Sequence, residues 1–150
     1  MVANRIMYNV YKHNARDIKH IGCKQFGMQA LLKGIYVYGD LLFLHTSLQN
    51  YSNLSFDIDY IKFTVKDRKV AKRTAVQETE IIPVRAYNNV PKVKARSTER
   101  TVFVLPKLTL RDDQVLEVEI YERGGGRHQR FSIENADLLN ARPVDNLKLR

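Results

Sequence analysis

The 150-residue chain has a single cysteine, no tryptophan and no long apolar run. One thiol, Cys23, excludes an internal disulfide. So poor a cysteine content suits the cytosol and the periplasm equally. No stretch approaches the roughly 20 apolar residues that a membrane-spanning helix needs. The opening MVANRIMYNVYKHNARD has no apolar segment of signal-peptide length. Catalytic patterns are missing as well. His13, His20, Cys23, His45 and His128 are scattered, and His20-x-x-Cys23 is half a zinc site with no second half nearby. No Ser-His-Asp or Cys-His arrangement stands out, so an enzyme is disfavoured, and no catalytic residue, metal ligand or cofactor is assigned. Acidic residues are outnumbered, with 16 Asp and Glu against 25 Lys and Arg, a net charge of +9 and a pI near 9.7. That excess admits an acidic partner (nucleic acid, anionic membrane or acidic protein) and equally a solvated basic surface.

What is present is a β pattern. A hydrophobic content of 44% excludes a disordered chain. The run from Leu41 to Lys66 organises the rest. Leu42, Leu44 and Leu48 share one parity, as do Leu54, Phe56, Ile58 and Tyr60. A period of two puts one apolar face on a pleated strand, so the run reads as two strands. Asn50-Tyr51-Ser52-Asn53 supplies turn chemistry between them. At Tyr60-Ile61 the apolar parity flips to Ile61, Phe63 and Val65, which predicts a β-bulge or a strand that changes sheet.

Either side of this central pair the reading continues in strands. Phe26 to Tyr38 is one, with Met28, Ala30 and Leu32 on one parity, Gly34 as a bulge and Tyr38-Gly39-Asp40 as a tight turn. Val76 to Tyr87 reads as an edge strand, because Pro83 cannot donate to a ladder. Asn88 to Arg96 reads as a mobile polar loop. Thr101 to Leu105 is a continuous apolar run buried on both sides. Arg111 to Gln114 is a turn. Val115 to Glu122 alternates, with Leu116, Val118 and Ile120 inward and Glu117 and Glu119 outward. Gly124-Gly125-Gly126 turns the chain into His128 to Glu134, and Asn135 to Asn140 makes one helical turn. Residues 1–25 read as a linker or N-terminal arm, with Ile6, Tyr8 and Val10 as a short strand and Asn14 to Cys23 as a helical turn. Residues 26–145 form the domain and 146–150 a tail. The expectation is an all-β, antiparallel β-sandwich, immunoglobulin-like, of about seven to eight strands with little helix.

Two stretches attract attention as sites. In Arg123-Gly124-Gly125-Gly126-Arg127-His128, glycine amides flanked by arginines have the chemistry of an anion cradle, but a loop between strands more commonly needs those glycines for its turn. The run Lys62, Lys66, Arg68, Lys69, Lys72 and Arg73 holds six cations against one acid, Asp67. It suits a phosphate backbone but has little aromatic interleaving, and a solvated turn or a docking surface for an acidic protein is the more ordinary reading. The candidate interaction residues are therefore Lys66, Arg68, Lys69, Lys72, Arg73, Arg127 and His128. Asp57 and Asp59 share a strand face and form a weaker candidate for binding a cation or carbohydrate. His45 is expected to be partly exposed or hydrogen-bonded.

Three features, NYSNLSFDIDYIKF (residues 50–63), DRKVAKRTAVQETEI (residues 67–81) and the glycine hairpin with His128, carry a family likeness. Over residues 18–145 the chain resembles the carboxy-terminal domain of the TraN family of conjugative transposon proteins. The resemblance implies a structural, non-enzymatic subunit of a type IV secretion-like mating apparatus. It implies a place in the cell envelope, on the periplasmic face of the outer membrane, as part of a longer exported protein. Its implied partners are other mating-channel subunits and a small lipoprotein. A nucleic-acid-binding accessory protein is the alternative.

Overall fold

A computed structural model describes residues 2–68 and 78–144. The chain folds as α1 (Val2–His13), β1 (Gly22–Gln25), β2 (Met28–Tyr38), β3 (Leu41–Asn50), β4 (Phe56–Asp67), β5 (Glu78–Ile81), β6 (Arg85–Tyr87), β7 (Lys92–Val93), β8 (Thr98–Pro106), β9 (Gln114–Glu122), β10 (Gln129–Ile133), α2 (Asn135–Leu139) and β11 (Arg142–Pro143). The strands form two sheets, one ordered β1-β2-β3-β8-β6 with β11 against β2, the other β10-β9-β4-β5 with β7 against β4. All pairings are antiparallel except β2–β11. This is the expected sandwich. It has eleven strands among the described residues, because short pieces of two to four residues extend its edges.

The alternation read from the sequence builds the core. Met28, Ala30, Leu32, Leu42, Leu44, Phe103 and Leu105 of the first sheet meet Phe56, Phe63, Leu116, Val118, Ile120, Phe131 and Ile133 of the second, all buried. Phe63 and Phe103 touch edge to face across the gap, with ring centroids 5.1 Å apart. Both anticipated irregularities are present, as register shifts between Leu32 and Gly34 and between Ile58 and Tyr60. Thr101 to Leu105 is buried throughout.

Several expectations are corrected. The first helix was not anticipated: Ile6, Tyr8 and Val10 lie in α1, not in a strand. Ala3, Ile6, Met7 and Val10 recur at helical spacing and are all buried. Ile6, Met7 and Val10 cover Tyr36, Phe43, Val102 and Val104 on the outer face of the first sheet, so β3 is buried on both sides. Lys12 and His13 sit favourably in the last turn, and Asn14 ends the helix at φ 47°. Asn14 to Ile21 has no helical turn, and residues 22–25 of the expected arm pair with β2. β3 and β4 are consecutive but lie in different sheets. The segment read as one edge strand divides: β5 pairs with β4, and β6 pairs with β8. Pro83 stands between them, where its lack of an N–H ends one ladder and lets the chain cross to the other sheet. The loop from Asn88 to Arg96 is anchored by β7, whose Val93 is fully buried.

Candidate functional site

The two lateral seams of the sandwich differ. On one side β1 and β10 close the gap: the Cys23 thiol donates to Gln129 Oε1 at 3.0 Å, and Gln129 Nε2 donates to the Gln25 carbonyl at 3.2 Å. On the other side the seam is open. β5 pairs with β4 only from Phe63 to Lys66, and β7 only at Phe56 and Asp57. Among the described residues no strand covers the stretch of β4 between them, where the bulge lies. An open cleft of about 590 Å³ occupies this gap, lined by Tyr60 and Ile61 of β4, Pro83 and Arg85 at the crossover, and Val90 and Pro91 before β7. Arg123 Nη2 lies 3.8 Å from Asp59 Oδ1 at its rim. Tyr60, Ile82 and Val84 are among the exposed large apolar side chains. β5 and β6 are the last strands of their sheets on this side among the described residues, and β5 has no strand beyond it there.

The candidate interaction cations are placed elsewhere, and Lys66, Arg68 and Arg127 are engaged. Lys66 Nζ pairs with Glu117 Oε1 at 2.6 Å, and Arg68 Nη1 with Glu134 Oε2 at 2.9 Å. Glu117, expected to face outward into solvent, is buried under this pairing. Lys69, Lys72 and Arg73 lie outside the described residues. Arg127 turns inward from the glycine hairpin. Its Nε and Nη2 both donate to Glu122 Oε2, Nη1 donates to Ser52 Oγ at 3.0 Å, and Nη2 donates to the Ser55 carbonyl at 2.8 Å. Hydrogen bonding from Arg127 holds the Glu122 carboxyl below its usual range against the opposing effect of burial. Arg127 is thus a clamp between the hairpin and the β3–β4 connection, not a side chain reaching for an anion.

His128 stacks on Tyr121, with centroids 4.4 Å apart and planes 17° off parallel, and Tyr121 stacks in turn on Tyr60. His128 Nε2 is 3.1 Å from Glu119 Oε2, near enough for an ion pair but off hydrogen-bond alignment. Burial and the adjacent Glu119 raise the Tyr121 hydroxyl's pKa. The ladder Tyr60–Tyr121–His128 therefore runs from the open cleft across the outer face of the second sheet, linking two residues that sequence reading treated separately. Asp57 hydrogen-bonds with Ser55, and its carbonyl accepts from the Arg123 amide. His20 pairs with Asp137 at 2.8 Å. No group of three or more His, Cys, Asp or Glu suited to a metal occurs among the described residues.

His45 is fully buried under α1. Its Nε2 lies 3.1 Å from Arg100 Nη1, and the Arg100 guanidinium sits 4.0 Å from the Tyr11 ring and donates to the Tyr11 carbonyl. Burial first, then the Arg100 charge, lowers the His45 pKa to about 3. No helix among the described residues is long and apolar enough to cross a membrane.

The architecture defines the chain as a β-sandwich domain with a helical cover on one sheet and, among the described residues, an open seam at one side. The chain belongs to the family described as Domain of unknown function (DUF4138), whose model matches residues 1–143. No curated protein and no solved structure matches.

Proposed function

We propose that the protein is a structural, non-enzymatic subunit of a conjugative DNA-transfer apparatus of the TraN type, working by protein–protein contact in the cell envelope. The observation that carries this is the open seam, where β5 is the outermost strand of its sheet among the described residues, beside a cleft lined by Tyr60, Ile61 and Pro83, with Ile82 and Val84 exposed on either side of Pro83. An extended segment of a partner adds to such an edge through main-chain hydrogen bonds, with apolar side chains seated in the adjoining cleft. The TraN resemblance supports the choice of partner, a neighbouring channel subunit or a small lipoprotein. The stretch that carries it, residues 18–145, lies almost wholly within the matched residues 1–143. The ion pairing of Lys66 and Arg68 and the inward turn of Arg127 weigh against the nucleic-acid alternative at those positions.

The test is a photo-crosslinking amino acid at Ile82, 64% exposed on the seam, and at Leu139, 67% exposed on α2. In cells carrying all the transfer proteins, the Ile82 probe is expected to capture one channel subunit and the Leu139 probe not to. No adduct at Ile82, or the same adduct at both positions, overturns the seam as the docking site.

A further inference from the structure

At one end of the sandwich three stretches meet: the β1–β2 turn, the β3–β4 connection and the β7–β8 connection. The Tyr51 amide donates to the Gly27 carbonyl at 2.8 Å, the Arg96 amide to the Ser52 carbonyl at 3.2 Å, and Arg96 Nε to Asn53 Oδ1 at 2.9 Å. These bonds tie the three into one surface. Phe26, Tyr51 and Leu54 stand on it, 57%, 39% and 71% exposed. Residues 22–31, 47–55 and 91–98 carry the cations Lys24, Lys92, Lys94 and Arg96 and not one Asp or Glu. Lys24 Nζ lies 5.2 Å from the Tyr51 ring centroid, so the charged and aromatic groups intermingle.

The backbone adds a second observation. Among the described residues, four that are not glycine have positive φ: Asn14, Phe26, Asn88 and Arg96. Asparagine tolerates this conformation, whereas a bulky side chain there is uncommon. The two costly cases, Phe26 at φ 56° and Arg96 at φ 59°, are both on this surface, and both side chains are exposed. Neither is buried in the core, and glycine or asparagine would suit either turn better. Strain kept at exposed positions points to a contact made outside the molecule.

We propose that this end of the sandwich is a membrane-surface contact. Phe26 and Leu54 enter the interfacial layer of an anionic bilayer, and Lys24, Lys92, Lys94 and Arg96 lie against lipid phosphates. Apolar tips ringed by cations match the two attractions that hold peripheral proteins on anionic lipid, and the adjoining carboxylates are engaged within the protein, Asp57 with Ser55 and Glu122 with Arg127. A fluid headgroup layer receives convex turn tips without a complementary pocket. The proposal stands apart from the channel-subunit reading, since it uses none of the cleft-lining residues named for the seam.

The test is co-sedimentation of the full chain with vesicles of phosphatidylcholine alone, and with vesicles that also contain phosphatidylglycerol. Binding is expected only to the anionic vesicles and is expected to weaken as salt rises. Phe26→Asn should lose about tenfold or more in vesicle affinity while melting at or above the wild-type temperature, because asparagine accepts the turn's φ. Lys94→Gln and Arg96→Gln should each cost about fivefold. Failure to bind anionic vesicles overturns the proposal, as does binding unchanged by Phe26→Asn. A wild-type dimer that Phe26→Asn converts to monomer also overturns it, by making a second copy the occupant.

Discussion

Acidifying the protein from pH 7.5 to pH 5 should destabilise it through one side chain, His45. The imidazole is fully buried between the first sheet and α1. Arg100 holds its charge at any working pH, so at 3.1 Å it donates and His45 Nε2 accepts. The neutral ring then carries its proton on Nδ1, which has no partner. The charges facing it are Arg100 from β8, Lys33 from β2 and His13 from α1, with Asp17 alone pulling the other way. The folded pKa is about 3 against the usual 6.5, so the unfolded chain binds the proton more readily. A depressed pKa contributes stability that is present above 6.5 and is lost as pH falls toward 3. Over the stated interval the loss is about 2 kcal/mol, equivalent to roughly 4–8 °C in Tm for a domain of this size. Asp17 and Glu122, whose pKa values are lowered, stay ionised at pH 5. Calorimetric Tm at constant ionic strength is the assay, run beside His45→Gln, which keeps an acceptor for Arg100 but does not titrate. The difference between the two slopes isolates His45 from every other group in the chain. Equal slopes in the two proteins would refute the reasoning.

Two further perturbations probe the fold. Arg127→Ala should cost about 3 kcal/mol in urea unfolding, because it leaves the Glu122 carboxylate with its partner gone and opens the contact with Ser52 and Ser55; Arg127→Lys should recover little, since an ammonium cannot hold the forked geometry. Met7→Ala should cost about 2–4 kcal/mol by the same measurement, and a loss under about 0.5 kcal/mol, the range of ordinary surface changes, would mean that α1 is not docked on the first sheet.

How much of this was legible depends on what each segment packs against. Strands with one dry face announced themselves: Leu116, Val118 and Ile120 alternate and are all buried. The bulge near Tyr60 was legible for the same reason, since a one-residue slip moves the apolar parity, and the one at Gly34 from the glycine itself. The α1 stripe was missed because Ile6, Tyr8 and Val10 also alternate; Ala3 and Met7, which fix the helical period, are weak apolar markers. Missing the helix concealed its consequence, that His45 and Phe43 on the second face of β3 are buried too. Pro83 showed where a ladder must end but not that the chain there changes sheets. At the candidate site, Arg127 looked outward only because its distance in sequence from Ser52 hides their proximity. A usable signal existed in Glu122, whose place across the glycine hairpin gives Arg127 a carboxylate. The cleft draws its lining from residues 58 to 123, and no local pattern encodes such a juxtaposition.

The most direct measurement is where the protein sits in the cells that make it. Cytosol, periplasm, inner membrane and outer membrane would be separated and each probed with an antibody to this domain. The account predicts recovery with the outer membrane, and loss of that recovery when other transfer proteins are deleted. Recovery in the cytosol would contradict it and would bring the nucleic-acid-binding alternative to the front.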